Sequence, residues 1–316
     1  MVVRVFVTLL LNISIVLASD DINSLLNEDP KAQAIIGTIT KSIPLGGGFS
    51  GEEVHLINDK FVLKKFNSYN PVVIEIQKRV AKWSLAPNII YANPKKKIVM
   101  MDFLGKDHLP RNQYTIVHLA QFLKTLHQIS YKDEVPQMSG KDYFGIVREH
   151  LKVLQNANVP KTILKKLTSI LKLEKHKYSE RAICHNDLNP NNILFVNNKI
   201  MAIDWDEAGL NDPYFDLGTI LMWYINIPDI ETKLLQHYLG RAPKKNELEH
   251  LKVMKKLAMT IAGVEIIQLG LEIGYKNNPN IPIDSLSEFL PKIGKTVNLN
   301  SGEKLYEFGL IILKEI

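Results

Sequence analysis

Over 316 residues the chain is 46% hydrophobic and 23% charged, which supplies a full core and leaves room for one large domain or two lobes. Its formal charge of +6 rests on 33 Lys and only six Arg. With the bidentate residue of phosphate and base readout so scarce, dedicated nucleic-acid recognition is set aside, and the single cysteine, Cys184, excludes an internal disulfide framework and a multi-cysteine zinc site.

The N-terminus carries Arg4, an apolar run from Val5 to Leu17, and then small residues. The run falls short of the ~20 residues that span a bilayer, and Val16 and Ala18 satisfy a small-residue cleavage pattern. The expectation is a signal peptide over residues 1–18 and an exported or secreted chain, with a cytoplasmic location as the alternative. No later run approaches membrane length, so no stable membrane span is expected once the segment is removed.

From Ile36 to Phe103 the sequence reads as short strands with one helix. A glycine cluster, GGGFSGE, precedes Val54–Ile57 and Phe61–Phe66, which the Asn58-Asp59 turn joins into a hairpin. Gly48 and Ser50 lie in that cluster, where backbone N–H groups can approach a phosphate without obstruction by Cβ. After Pro71 the spacing of Val72, Ile76, Val80 and Trp83 predicts one helical stripe. A second hairpin turns at Asn93-Pro94, and Asp102–Gly105 reads as a hinge between two lobes. From about Thr115 onward, apolar residues recur at three- and four-residue spacing, with Lys on the opposite face.

The segment ICHNDLNPNNILFVNNKIMAIDWDEAG, from Ile183 to Gly209, interrupts these helices. Ile193–Val196 and Lys199–Ile203 read as strands turned at Asn197-Asn198, with Asp204 at the end of the second. A loop from His185 to Asn192 lies beside it. Asp187, Asn192 and Asp204 can therefore converge on one hard cation, and Mg²⁺ takes such oxygen ligands together with substrate phosphates. Asp187 is read as exposed on the loop and best used as the base that takes a proton from an incoming alcohol. The spacing H-x-D-x-x-x-x-N followed by an acid after a strand is a protein-kinase layout. His185 reads as a hydrogen-bonding brace.

Upstream, strand alternation puts Val62 and Lys64 on one face, one under an adenine and the other on its phosphates, with Lys65 as the alternative if the register slips. Glu75, on the following helix, is placed to pair with Lys64. Asp102–Leu104 would meet the adenine edge through the backbone.

The residues CHNDLNPNNILF, AIDWDEAG and DPYFDLG, with weaker support from LGGGFSGE, FVLKKF and LKTLHQI, carry a resemblance. The chain resembles the aminoglycoside phosphotransferase and choline/ethanolamine kinase superfamily over about residues 36 to 270. That resemblance implies an α+β, two-lobed, protein-kinase-like fold that uses ATP and Mg²⁺. It makes Asp187 the base, Asn192 and Asp204 the metal ligands, Lys64 the phosphate lysine, Glu75 its helix partner, and Asp216 the acid that braces the catalytic loop. The HND triplet is similar to choline and ethanolamine kinases. Trp223, Tyr224 and Tyr238 are the aromatic candidates for a quaternary ammonium. The segment MTIAGVEIIQ lacks the paired tryptophans of eukaryotic choline kinases, and its Glu265, costly to bury unpaired, is expected in the substrate cleft.

The expectation is thus a small-molecule kinase acting on an amine-bearing alcohol of choline or ethanolamine type, with an aminoglycoside, thiamine or sugar kinase as the alternative. An N-lobe over residues 19–105 would bind nucleotide, and a C-lobe over residues 106–316 would hold catalysis and acceptor. A nucleotide-binding pseudokinase scaffold is the rival, opposed by retention of the lysine, the base and both metal ligands. A protein kinase is disfavoured because no A-P-E-like segment follows Asp204.

Overall fold

The structure is a computed structural model that describes residues 26, 29–45, 52–131, 142–155, 159–176, 181–275, 284–293 and 295–316. The segment expected to be a signal peptide, residues 1–18, lies outside these, as do Gly48 and Ser50.

The first part of the chain is a sheet clasped by two helices. Helix α1 (Pro30–Ile36) starts at Asp29, whose carboxylate accepts from the N–H groups of Lys31 and Ala32. Strands β1 (Ser42–Pro44), β2 (Glu53–Ile57) and β3 (Phe61–Lys65) follow. Helix α2 (Pro71–Ala81) is capped by Asn70, with Pro71 in its first turn, and β4 (Ile89–Asn93) and β5 (Ile98–Asp102) complete an antiparallel sheet in the order β1-β2-β3-β5-β4. Asn58 and Asp59 both take the left-handed conformation, the hairpin geometry their types favour. Alternation then sorts the side chains. Phe61, Leu63, Ile98 and Met100 pack against Leu26, Ala32 and Ile36 on one face, while Phe66, Val99 and Met101 meet Ile74 of α2 on the other. Lys64, between Val62 and Phe66, belongs to this second face. The predicted helical stripe ends early: α2 stops at Ala81, and Trp83 lies beyond it, 57% exposed.

Beyond Asp102 the fold is mainly helical. A 3₁₀ turn (Gln113–Thr115) leads into α3 (Ile116–His127), followed by α4 (Tyr143–Gln155) and α5 (Lys161–Leu171). Four short strands come next: β6 (Ala182–Cys184), β7 (Ile193–Val196), β8 (Lys199–Ala202) and β9 (Gly209–Asn211). β6 pairs with β9, and β7 with β8 through an Asn197-Asn198 turn in the left-handed conformation. Helices α6 (Pro213–Trp223), α7 (Ile230–Leu239), α8 (Lys245–Glu272), α9 (Leu286–Phe289) and α10 (Gly302–Lys314) close the chain. The C-terminal half of α8 is apolar on nearly all sides and runs between α6 and α10, as a central core helix must. Among the described residues, no helix is long and apolar enough to cross a membrane.

Candidate active site

Two polar elements meet at the junction of sheet and helices. The first is the loop between β6 and β7. Asp216, in the first turn of α6, is fully buried and accepts from three N–H groups: His185 N at 2.9 Å, Asn186 N at 2.8 Å and His127 Nε2 at 3.1 Å. Asp212, not Asp216, caps α6, accepting from Tyr214 N. Asn186 is left-handed, with φ at +68°, a conformation Asn tolerates better than most residues. Its Nδ2 donates to Glu207 O at 2.8 Å, and its Oδ1 accepts from Tyr143 Oη at 2.6 Å. His185 Nε2 donates to Ile203 O at 2.9 Å, and its Nδ1 accepts from Asp187 N at 3.3 Å. Burial lowers its pKa, so the imidazole is a neutral brace, wedged against Trp205 with ring centroids 4.5 Å apart.

These braces aim Asp187. Its Oδ1 accepts from Asn189 Nδ2 at 3.2 Å and its Oδ2 from Asn192 Nδ2 at 3.1 Å. Expected to be exposed, it is in fact only 4% exposed, because the loop folds under its own asparagine side chains. With Asn192 Nδ2 committed to Asp187, the Oδ1 of Asn192 is the atom that can face a cation.

The second element is a charge cluster on β3. Lys64 Nζ lies 2.8 Å from Asp204 Oδ1, 2.5 Å from Asp206 Oδ2 and 3.0 Å from Glu52 Oε2, with the lysine 8% exposed. Burial pulls the lysine pKa down, but the carboxylates of Asp204, Asp206 and Glu52 together outweigh it and hold the ammonium protonated. The Asp206 carboxyl is pushed up by burial and then by Asp204 beside it, with Lys64 pulling the other way. Asp204 does not end the strand: β8 stops at Ala202, and Asp204 follows in the left-handed conformation, with φ at +62°. Ile203 N donates to Asn192 O at 3.0 Å, which ties the two elements together. Three carboxyl groups around one ammonium, beside an amide oxygen, gather oxygen donors at one point. That donor set is all oxygen and suits Mg²⁺.

Several expectations are corrected. Glu75 does not partner Lys64; it pairs with Lys78 at 2.6 Å on the outer face of α2, and Glu52 of the glycine segment takes the lysine instead. The Tyr238 hydroxyl, expected to face an acceptor, is engaged by His127 Nδ1 at 3.0 Å. Glu265 is not in a cleft. It lies buried on α8 with its carboxylate 3.8 Å from His150 Nε2 of α4, and burial lowers the pKa of that histidine to about 4.

Trp223 and Tyr224, both buried, line a small hollow together with Arg111 and with Leu188 and Pro190 of the loop between β6 and β7. Val62 is half-buried on the Lys64 face. Asp102 accepts from Asn88 Nδ2, and the Asp102 and Phe103 N–H groups donate to Asn88 O and Lys60 O. Leu104 is half-buried, ahead of Gly105 with φ at +89°.

Sequence reasoning passed over Asp206, Glu52 and His127. The alternation in Asp204-Trp205-Asp206 was a usable signal for the first, whereas Glu52 reaches Lys64 only through the sheet.

The comparisons agree with this geometry. A family model described as the phosphotransferase enzyme family (APH) matches residues 42–249. The protein LicA of Haemophilus influenzae is 36% identical over 74 residues, which is 23% of this chain and 28% of that relative; the chain thus spans well under half of that relative's length. Among solved structures, a choline/ethanolamine kinase family protein from Mesorhizobium loti superposes with a TM-score of 0.65 at 17% identity, covering 94% of this chain and 99% of that one. Choline kinase LicA from Streptococcus pneumoniae gives 0.65 at 16% identity, covering 94% and 100%. The streptomycin–ATP ternary complex of APH(2")-IIa gives 0.56 at 18% identity, covering 92% and 99%. The fold is the two-lobed kinase-like one, and the chain belongs to the phosphotransferase enzyme family.

Proposed function

We propose that the chain is an ATP- and Mg²⁺-dependent O-phosphotransferase that moves the γ-phosphate to a hydroxyl of a small amine-bearing alcohol, of choline or ethanolamine type. The observation that carries this reading is the juxtaposition of Lys64, held by three carboxylates, with the loop that presents Asp187 and Asn192. Lys64 would turn its ammonium to the nucleotide phosphates. Asn192, Asp204 and Asp206 would hold the metal, and a bound Mg²⁺ supplies neutralisation of the phosphate charge. Asp187 would take the proton of the acceptor hydroxyl, Asn189 and Asn192 fixing its two oxygens. The backbone around Asp102–Leu104 would meet the base, and Gly48 and Ser50 the phosphates.

Trp223 and Tyr224, beside the catalytic loop, support an acceptor with a cationic head, since aromatic faces attract quaternary ammonium. The likeness to choline kinase LicA points the same way, and that to a streptomycin complex keeps aminoglycosides as the alternative.

A panel of choline, ethanolamine, aminoglycosides, thiamine and sugars with labelled Mg-ATP tests the reading, and label is expected on an amino alcohol. Asp187→Ala is expected to lower turnover by about 10²- to 10⁴-fold while the thermal shift with Mg-nucleotide persists. Full turnover in that variant, or label on no acceptor, sinks it.

A further inference from the structure

The polar chain behind the catalytic loop continues beyond Asp216. His127, the last residue of α3, points Nε2 at Asp216 Oδ2 (3.1 Å) and Nδ1 at the hydroxyl of Tyr238 on α7 (3.0 Å). The two rings meet edge to face, with centroids 5.6 Å apart. A carboxylate oxygen only accepts, so a proton sits on Nε2, and the tautomer that satisfies both contacts leaves the Nδ1 lone pair to accept from the phenol. Burial pushes the Tyr238 phenol well above its ordinary pKa, so it keeps the proton it donates. The third neighbour, Cys184 Sγ, lies within 4.8 Å of the His127 and Asp216 ligand atoms. Burial raises its pKa as well, so it stays a neutral thiol and competes weakly for hydrogen bonds.

Asn186 shows what the chain restrains. That residue sits immediately before Asp187 in a left-handed conformation, and its N–H is held by Asp216 Oδ1. If Asp216 turns, this left-handed residue loses one of its anchors and the aim of Asp187 shifts, although the surrounding core is intact.

We infer that Tyr238 is a positioning residue for phosphoryl transfer: its hydroxyl locks the rotation of His127, which locks Asp216, which sets the backbone under Asp187. The inference rests on Asp187 acting as the base. Two residues, His127 and Asp216, separate the phenol from the loop, so its effect falls on turnover and not on ligand affinity.

Tyr238→Phe tests this because it keeps the ring packing and removes only the hydroxyl. Expected is a fall of about tenfold in kcat, with KM for ATP and for the acceptor within about twofold. The double variant with His127→Gln should be no slower than His127→Gln alone, as for groups in one chain. Nitrogen-15 spectra of the His127 ring should show Nδ1 moving toward the position of an unbonded ring nitrogen. An unchanged ring spectrum, an unchanged kcat, or additive effects in the double variant overturns the inference. If the wild type labels no acceptor, the functional reading fails, and the ring spectrum still decides whether Tyr238 holds His127.

Discussion

Lys64 has a neighbourhood that only a cation can satisfy. Glu52, Asp204 and Asp206 lie within 3.0 Å of its ammonium, and removal of that charge leaves three carboxylates facing one another. Lys64→Met is therefore expected to lose about 3 kcal/mol of stability, the scale for breaking a buried ion pair from one side. A divalent cation can stand in the same place, so millimolar Mg²⁺ should raise the melting temperature of the variant more than that of the wild type. Equal responses in a thermal melt would count against the cluster as a cation site. At this scale the spacing of Asp187, Asn192 and Asp204 was legible, because a short loop and one hairpin join them. The choice between Glu75 and Glu52 was not, since both are acids near a glycine segment or helix with nothing local to rank them.

Elements follow from their ends as well as their faces. The long helix α8 starts where Glu247, its third residue, accepts from Lys244 N at 2.7 Å and from Arg241 at 2.6 and 2.9 Å. The hydrogen bond from Arg241 leads in lowering the Glu247 pKa to about 2. A carboxyl whose folded pKa lies below its unfolded value contributes stability that is fully present above the unfolded value, 4.5, and is lost as pH falls through about 2. Glu247→Gln should then cost about 1 kcal/mol at pH 7, the scale of a helix cap. Circular-dichroism melts should show that difference shrinking between pH 5 and pH 2; a gap that widened instead would refute the assignment. Element boundaries were partly readable: Asn58-Asp59 and Asn197-Asn198 turn where expected. Trp83 was not, because its helical spacing continues past the point where the backbone leaves the helix at Ala81.

The whole molecule depends on close crossings that no local pattern announces. Helices α8 and α10 touch at two glycine pairs, Gly263 with Gly309 and Gly270 with Gly302. A Cβ on Gly309 would stand 2.5 Å from Gly263 O, which is backbone and cannot step aside. Gly309→Ala should push the helices apart and cost about 2 kcal/mol, the scale of overpacking in a filled core, read as a lower denaturant midpoint at unchanged m-value. An unaltered midpoint would mean that the helices can separate freely.

By itself the sequence determined the hairpin turns at Asn58-Asp59 and Asn197-Asn198, the helix after Pro71 and the spacing of the loop from His185 to Asn192, since each depends on dihedral preferences and side-chain periodicity over a few residues. Packing alone decided that Glu52 and not Glu75 meets Lys64, that Asp187 lies under its own asparagines, that Glu265 faces His150, and that Tyr238 backs His127. Those contacts join residues far apart in the chain, where many side chains of the same type compete, and only the assembled core selects among them.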